Sequence, residues 1–245
     1  LWSHMQDKID LRIPFKPQHV HFLAASTAEN PKAYVNFQDY SFPIHAPEVS
    51  MVDGQPQITY YKNRDWDSIS SGIAGMAIGF FPQGQGLNTY PTVSIKASPA
   101  KILQGHNVFG SEFCKEAVLQ MMVMLSLAYP DIYEHLDIEN AELRFIDCTY
   151  SARIRDFFST KVFAMFESLA SKRTKVNKDV DYCQLGKGSE YQRHKLYKKL
   201  QEVLADLADA IQSKNQFRID ILSDQRLLDF ATDLHRFEAT IGHRK

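Results

Sequence analysis

Tyr197 has cationic side chains on both sides of it in the sequence, a setting that suits nucleophilic chemistry. On a helix, Arg193 and His194 would lie one turn before it on the same face. On a strand, Lys195 and Lys199 would share its face instead. In either case nearby positive charge would favour the phenolate, the form in which a tyrosine attacks. Considered alone, Tyr197 is one of 11 tyrosines, and a half-buried aromatic on a charged element is its ordinary interpretation.

Two carboxylates lie on segments whose alternation predicts strands. Near the end of the chain a polar set alternates with an apolar one: Arg236, Glu238 and Thr240 against Phe237, Ala239 and Ile241. Glu238 would therefore face a polar groove, as a metal ligand or as a surface partner of Arg236. Asp147, in RFIDCTY, has an apolar setting in which a carboxylate is costly unless it is paired or bound to a metal ion.

Histidines offer two further possibilities for a metal site. His106 follows a glycine, and its imidazole could bind a metal ion, contact a nucleic acid or make a structural hydrogen bond. His19-Val20-His21 would place two imidazoles on one face of a strand, which is also a metal-binding arrangement. The two possibilities put a metal ion in different parts of the chain.

The net charge of the chain argues against nucleic-acid binding, whereas the local distribution of charge allows it. A net charge of −1 and a pI near 6.8 argue against it, because such proteins usually have a basic excess. The segment 172–199 is strongly basic, however, and either a basic binding face or a solvated helix would fit it. Lys96 and Lys101 flank a Ser-Pro turn that would suit a phosphate, or would be a tight turn with solvated lysines.

The composition is that of a soluble globular protein with one large or two small domains. The 245 residues are 44% hydrophobic, which is enough to bury a substantial core. Cys114, Cys148 and Cys183 have no CxxC spacing, which argues against a disulfide framework and against a structural zinc site. No apolar run reaches the roughly 18 residues of a membrane span. Residues 1–4 resemble a vector-derived tag ahead of Met5.

Hydrophobic periodicity predicts an α+β fold with a mainly antiparallel central sheet flanked by helices. Strands are expected at 8–13, 57–61, 72–81, 90–96, 142–150, 181–185 and 234–242. Helices are expected at 111–128, at about 156–171, from the Tyr197 segment to about Ile211, and near 224–233. Pro130 should end the first helix, and the polar stretch 172–181 should be a loop.

The segment 93–110, VSIKASPAKILQGHNVFG, contains words that closely resemble the gene II replication proteins of filamentous phages (inoviruses). Further words match in the same order: RIPF, SGIA, RFID, TYSAR, GKGS with the stretch Tyr197-Lys198-Lys199, and LHRFEATI. The resemblance spans nearly the whole chain and is weak at 17–65 and 172–185. It implies an HUH-endonuclease-like fold in which residues 5–245 form the nicking domain, truncated before a C-terminal region.

Members of this family are rolling-circle initiators that nick the plus strand at the phage origin. They leave a 3′ hydroxyl primer and a 5′-phosphotyrosine link, and later rejoin the displaced strand. The resemblance implies Tyr197 as the nucleophile, with Lys199 as a second catalytic residue. It also implies Mg²⁺ or Mn²⁺ held by Glu238, Asp147 and His106, and not by His19 and His21, which lie outside the matched words. The expected DNA contacts are Lys96, Lys101, Arg144, Arg193, His194 and Arg236. The implied partners are origin DNA and the host helicase and polymerase, in the host bacterial cytoplasm.

A single nucleophile per chain has a consequence for how the reaction ends. Gln201 and Arg193 stand one helical turn on either side of Tyr197, and Tyr191, six residues earlier, cannot share a helix face with it. We therefore expect a second protein molecule to make the second cut, through a weak or DNA-induced dimer. The alternative function is origin binding without nicking; a plasmid relaxase or transposase would more typically show paired tyrosines or a clear HUH motif.

Overall fold

The computed structural model describes residues 3–16, 23–25, 32–37, 40–45, 48–52, 55–59, 66–81, 91–172, 174–187, 189 and 192–242, with side chains from residue 5 and outside 17–65. The strands are β1 (Ser3–Pro14), β2 (Leu23–Ala25), β3 (Lys32–Phe37), β4 (Tyr40–His45), β5 (Glu48–Val52), β6 (Gln55–Thr59), β7 (Asp67–Ser70), β8 (Gly75–Phe81), β9 (Thr92–Ala97), β10 (Glu142–Arg153), β11 (Val176–Asp179), β12 (Tyr182–Leu185), β13 (Gln192–Lys198) and β14 (Leu234–Gly242). The helices are α1 (Pro99–Gln104), α2 (Cys114–Ala128), α3 (Pro130–Glu134), α4 (Asp156–Ser168), α5 (Lys199–Gln212), α6 (Gln216–Leu222) and α7 (Gln225–Thr232).

Nine of these strands form one antiparallel sheet in the order β11-β12-β13-β14-β10-β1-β9-β8-β7. The order is not sequential, since β1 at the start of the chain lies between β9 and β10. The first strand therefore brings N-terminal side chains to the centre of the sheet. This architecture confirms the predicted α+β fold with an antiparallel sheet flanked by helices.

Most predicted elements are present, with shifted ends. The expected hairpin of 72–81 with 90–96 is confirmed by the pairing of β8 with β9, and the strand expected at 234–242 has those bounds. The helix expected from 111 begins at Cys114, and the one expected to reach 171 ends at Ser168. Pro130 separates two helices, because it is also the first residue of α3.

Local structure differs from the expectations at two places. The stretch 172–181 contains β11, a mostly exposed edge strand that pairs with β12. An edge strand of this kind needs few apolar residues, so its composition resembles that of a loop. Helix α6 was not expected either; the side chain of Asn215 caps it by accepting from the backbone N–H of Arg218 at 3.1 Å.

The two faces of the sheet have opposite character because side chains alternate along each strand. On one face, Ile9, Leu11 and Ile95 are buried against α2, which contributes Met121 and Leu125. Helix α4 packs on this same face of β13 and β14, through a cluster that includes Phe166, Leu185 and Leu196. The opposite face carries the polar and charged residues.

Helices α5, α6 and α7 form a further core beside β14. It is built from Val203, Leu222 and Leu227, together with Val108 from the loop after α1 and Leu234 from β14. This packing fixes the start of α5, directly after Tyr197, against the QGHN loop. None of the described helices has the length and apolar character needed to cross a membrane.

A substitution at the centre of the sheet tests this assignment of faces. Ile95 is fully buried on β9, and Ile95→Ala should lower the free energy of unfolding by about 2–5 kcal/mol, because it leaves a cavity. Leu127 is 77% exposed on α2, so Leu127→Ala should change it by no more than about 0.5 kcal/mol. Urea denaturation measures both. Equal effects of the two variants would contradict the assignment.

Candidate active-site cleft

An open cleft of about 1050 Å³ lies on the polar face of the sheet. Residues from both ends of the chain line it because β1 and β14 flank β10 in the centre of the sheet. The lining residues most relevant to chemistry are Asp7, Lys96, Lys101, Asn107, Asp147, Lys195, Tyr197, Glu202 and Glu238. The cleft therefore combines a phenol, several carboxylates and several lysines.

Tyr197 is on a strand, next to the last residue of β13, so the strand alternative of the two sequence interpretations applies. Its hydroxyl donates to Oε2 of Glu238 at 3.3 Å, across the β13–β14 pair. Burial, followed by the negative charge of Glu202, raises the pKa of Tyr197 well above its usual value near 10. The phenol is thus neutral and hydrogen-bonded in the free protein.

Glu238 is 4% exposed and joins Tyr197 to Lys195. Lys195 lies directly opposite it in the β13–β14 register, and the ammonium forms an ion pair with Oε1. Burial and the negative charge of Asp147 raise the pKa of Glu238, although Lys195 opposes the shift. Asp147 is 8% exposed and lies one strand away on β10. The site therefore concentrates negative charge beside the phenol.

Lys199 does not line the cleft, because its side chain is completely buried at the start of α5. Its ammonium donates to Oδ1 of Asn107 at 2.7 Å and to Oε2 of Glu202 at 2.5 Å. The same nitrogen lies 5.8 Å from the centre of the Tyr197 ring. Burial, and next the positive charge of Arg236, lower the pKa of Lys199 to about 8. Lys199 is a buried cation behind the phenol.

Asp7 and Asn107 organise the floor of the site. Asn107 donates through Nδ2 to both oxygens of Asp7, at 2.6 and 2.8 Å, and to Oε1 of Glu202 at 3.0 Å. Asp7 lies at an irregularity in the pairing of β1 with β10 and also accepts from the hydroxyl of Ser98 at 2.9 Å. The two residues connect the N-terminal strand, the QGHN loop and α5.

Arg236 completes this network from β14. Its side chain is fully buried and donates to Oγ of Ser151 at 3.1 Å and to the carbonyl of Val108 at 2.8 Å. Its Nη1 lies 3.5 Å from Asp7. The expectation that Arg236 contacts DNA does not match this position, because the guanidinium is enclosed by groups inside the protein.

Lys96 and Lys101, expected to bind phosphate, both line the cleft. The ammonium of Lys96 lies 4.0 Å from the centre of the Trp66 ring. That of Lys101 forms ion pairs with Asp206 at 2.7 Å and Glu202 at 3.3 Å. Both lysines are therefore held in place in the lining of the cleft.

Four other residues expected at the site do not line the cleft: His106, Arg144, Arg193 and His194. His106 is 7% exposed, and its Nδ1 accepts from the backbone N–H of Val108 at 3.3 Å. The guanidinium of Arg144 lies 5.2 Å from the Phe145 ring, and the His194 ring stacks on Phe237 on the opposite face of the sheet.

The cleft fits a divalent cation only in part. Asp147 and Glu238 supply oxygen ligands beside Tyr197, and their mutual repulsion would be relieved by a bound cation. Among the described residues, no three His, Cys, Asp or Glu side chains form a complete ligand group, so His106 does not join the two carboxylates. His19 and His21 lie outside the described residues, so the expectation that they take no part in metal binding stays a prediction.

Sequence reasoning assigned no role at the site to Asp7, Asn107 or Glu202. Asn107 lies inside the matched word QGHN, and Glu202 follows Lys199 at the three-residue spacing that brings helical side chains together. These sequence patterns could therefore have identified Asn107 and Glu202 as residues of the site. No pattern could have identified Asp7, because its partners lie about a hundred and more than two hundred residues away in sequence.

The fold and the cleft define the class: an α+β protein whose antiparallel sheet presents a tyrosine among carboxylates and lysines on one face. The chain belongs to the family of phage replication-associated proteins encoded by gene II, whose N-terminal family model matches residues 5–245.

Curated relatives carry the same description. The gene II replication-associated protein of Salmonella phage IKe is 30% identical over 257 residues, covering 98% of this chain and 60% of that protein. Those of Enterobacteria phages fd and M13 are each 30% identical over 193 residues, covering 73% of this chain and 46% of theirs. The chain thus spans about half to three fifths of these relatives. A rolling-circle replication initiator protein from Geobacillus stearothermophilus aligns with a TM-score of 0.35 and 9% identity, covering 99% of this chain and 75% of that one.

The protonation of His106 tests whether this residue is internal. Burial, and then the positive charges of Lys199 and Arg236, lower the pKa of His106 to about 4 from 6.5. The unfolded chain takes up a proton near pH 6.5, whereas the folded protein does not until about pH 4. Wild type should therefore lose stability relative to His106→Asn as the pH falls through this window.

The direct measurement is NMR of the imidazole, with His106→Asn used to assign its signals. The His106 signals should stay constant from about pH 8 to about pH 5.5, well above the lowered pKa. Titration of these signals near the ordinary histidine pKa of about 6.5 would show an exposed imidazole and contradict the internal placement.

Proposed function

We propose that this chain is the nicking domain of a rolling-circle replication initiator, which cleaves the plus strand at a phage origin by tyrosine transesterification. The observation that carries the proposal is the hydrogen bond of the Tyr197 hydroxyl to Glu238 inside a cleft lined by lysines. Membership of the family of gene II replication-associated proteins supplies the biological setting. The chain covers only part of the length of its relatives, so the activity of the whole protein is part of this proposal.

In the cleavage step the phenolic oxygen of Tyr197 attacks the scissile phosphorus. The new phosphorus–oxygen bond forms as the bond to the 3′ oxygen breaks, so one phosphodiester replaces another and the bond energy is retained for rejoining. Glu238 accepts the phenolic proton at Oε2 and releases it to solvent, and the leaving 3′ oxygen takes a proton from a water molecule, so no proton is gained or lost overall. Lys195 holds Glu238 in place for this transfer.

The cations of the site divide into two groups by exposure. Lys96, Lys101 and Lys195 line the cleft and contact the phosphate oxygens of the bound strand. Lys199 is sealed behind the ring and acts as a positioning residue, whose charge favours the phenolate as the proton leaves. Its lowered pKa, about 8, leaves it mostly protonated at neutral pH.

A divalent cation, Mg²⁺ or Mn²⁺, would be held by Asp147 and Glu238 together with phosphate oxygens. Such an ion would neutralise charge on the scissile phosphate and on the leaving oxygen. Mg²⁺ sites of this kind typically use one or two carboxylates with substrate phosphates, which agrees with the incomplete ligand set among the described residues.

The products suit the start of replication in the cytoplasm of a bacterial host. The free 3′ hydroxyl is a primer for the host polymerase, and the 5′-phosphotyrosine retains the strand for later rejoining. Tyr197 is the tyrosine of the described residues that donates to Glu238, and Tyr191 lies outside them. A second cut then requires a second protein molecule, recruited to the regenerated origin as a weak or DNA-induced dimer.

Removal of one oxygen atom tests the nucleophile. Tyr197→Phe should abolish the SDS-stable adduct with origin DNA and leave binding within about threefold, because the ring still packs above Lys199. Tyr182→Phe is the matched control: this tyrosine also lines the cleft, but its hydroxyl donates to Gln184 at 2.8 Å. Adduct formation by Tyr197→Phe would assign the nucleophile elsewhere.

Conservative changes of the carboxylates test the metal site. Glu238→Gln and Asp147→Asn should each lower nicking at least a hundredfold, on the order of 3 kcal/mol of barrier, and weaken Mn²⁺ binding measured by electron paramagnetic resonance. A high concentration of manganese should partly restore nicking by the variant that lacks the weaker of the two metal ligands. Asp179→Asn, on the same cleft, should bind Mn²⁺ like wild type. Nicking at the wild-type rate by both variants in EDTA would refute the metal site.

A variant that carries both His19→Ala and His21→Ala is a contrasting control. It should keep its nicking activity, because the proposed metal ligands are Asp147 and Glu238.

A further inference from the structure

A second open cleft, of about 1010 Å³, lies near the end of β13 and β14 away from Tyr197. It is lined by the loop after α4, by the described residues Gly186, Lys187 and Ser189 of the GKGS word, and by the neighbouring strand ends. Its polar lining residues are Ser171, Thr174, Lys175, Lys187, Ser189, Gln192 and His194. The nicking mechanism uses none of them.

The sheet itself separates the two clefts. His194, Ala239 and Ile241 line the second cleft, whereas Lys195 and Glu238 line the first. Adjacent strand residues point to opposite faces, so the second cleft opens on the face that α4 packs against. Gln192 and Tyr197 are also five residues apart on β13, roughly 16 Å along the strand. A ligand in the second cleft is therefore separate from the cleaved phosphate.

The two clefts differ in charge. The first has six carboxylate residues among its lining residues: Asp7, Asp147, Asp179, Asp181, Glu202 and Glu238. The second has Lys175 and Lys187 and no carboxylate among its described lining residues. Neither lysine forms an ion pair with a described residue, whereas nearby Lys178 is paired with Glu167 at 2.6 Å. Among the described residues, the lining of the second cleft therefore has a net positive charge, the sign that an anion-binding site needs.

Backbone geometry holds the two lysines side by side. The amides of Gly186 and Lys187 both donate to the carbonyl of Lys175, at 3.0 and 3.3 Å. Gly186 has a φ of +78°, and a Cβ there would lie 2.9 Å from the carbonyl oxygen of Gln192. A glycine is thus required at the turn that places Lys187 beside Lys175.

Neutral hydrogen-bonding groups complete the lining. The Gln192 amide nitrogen lies 3.0 Å from Nε2 of His194, and the His194 ring stacks on Phe237. Nδ1 of His194 is buried and has no hydrogen-bond partner among the described residues. The hydroxyls of Ser171 and Thr174 bond each other at 2.8 Å at the opposite wall. Lysines with amide and hydroxyl groups are the residue types that contact DNA backbones.

We propose that this second cleft binds the phosphodiester backbone of a DNA segment other than the one cleaved at Tyr197. The inference rests on the proposed function for its ligand, and adds a second contact on the opposite face of the sheet. DNA that reaches both clefts passes around the β11 edge of the sheet. The cleft supplies affinity and register for the origin, while the first cleft supplies the chemistry.

The test uses Tyr197→Phe protein, so that binding is measured without cleavage. Fluorescence anisotropy with a labelled origin duplex, and with the corresponding single strand, compares this protein with a variant that also carries Lys175→Ala and Lys187→Ala. The control carries Lys115→Ala and Lys161→Ala instead, which removes two exposed lysines from α2 and α4. Both variants have the same net charge.

If the cleft binds a backbone, loss of two phosphate contacts should lower the salt slope of log K by about 2 for a duplex and about 1.4 for a single strand. At about 0.1 M salt, the affinity for the DNA form that the cleft binds, duplex or single strand, should fall about ten- to a hundredfold. The control should lose less than about threefold. The proposal would be overturned if the affinity fell for neither DNA form, or if it fell equally in the control variant.

Nicking distinguishes this proposal from the function on which it rests. With Tyr197 restored, the Lys175→Ala, Lys187→Ala variant should cleave a short single strand that fills only the first cleft at the wild-type rate. If wild type cleaves no DNA while the lysine pair still governs affinity, the proposed function fails and the second site stands. If cleavage of the short strand falls with the lysine pair, the second site is not separate and the proposal fails.

Discussion

The structure depends on burying two positive charges without leaving either unpaired. Arg236 and Lys199 have no exposed surface, and an unpaired buried cation would be strongly destabilising. Asp7 and Glu202 supply the compensating charge, and Asn107 connects them by donating to both. These residues come from the first strand, the QGHN loop, the start of α5 and the last strand. The network therefore joins strands from both ends of the chain beside Tyr197.

The alternation of side chains in the sequence was sufficient to predict the antiparallel sheet and the polar face that carries Glu238. It could not decide whether Tyr197 ends a strand or lies on a helix, since its cationic neighbours fit both periods. The other differences between the predicted and the observed site come from contacts between residues that are far apart in the sequence. Asp7 takes part only because β1 inserts at the centre of the sheet. Arg236 lies on the polar face as expected, but the QGHN loop and Asp7 enclose it there.

A net charge of −1 argues by itself against DNA binding, and the distribution of charge answers that objection. The basic segment 172–199 does not form one face, because its lysines line two clefts on opposite faces of the sheet. Lys195 and Lys198 line the first cleft, where carboxylates for chemistry balance them. Lys175 and Lys187 line the second, where none of the described lining residues is a carboxylate. Total charge therefore conceals a division between a cleft of mixed charge and a basic one.

The central claim is that Tyr197 becomes the covalent link to DNA, and mapping the adduct tests it most directly. After reaction with an origin strand and digestion with nuclease and trypsin, cleavage after Lys195 and Lys198 should release the peptide Leu196-Tyr197-Lys198. Tandem mass spectrometry should find this peptide with a residual nucleotide on the phenolic oxygen. A nucleotide on a peptide that contains Tyr182 or Tyr191, with the Tyr197 peptide unmodified, would contradict the account.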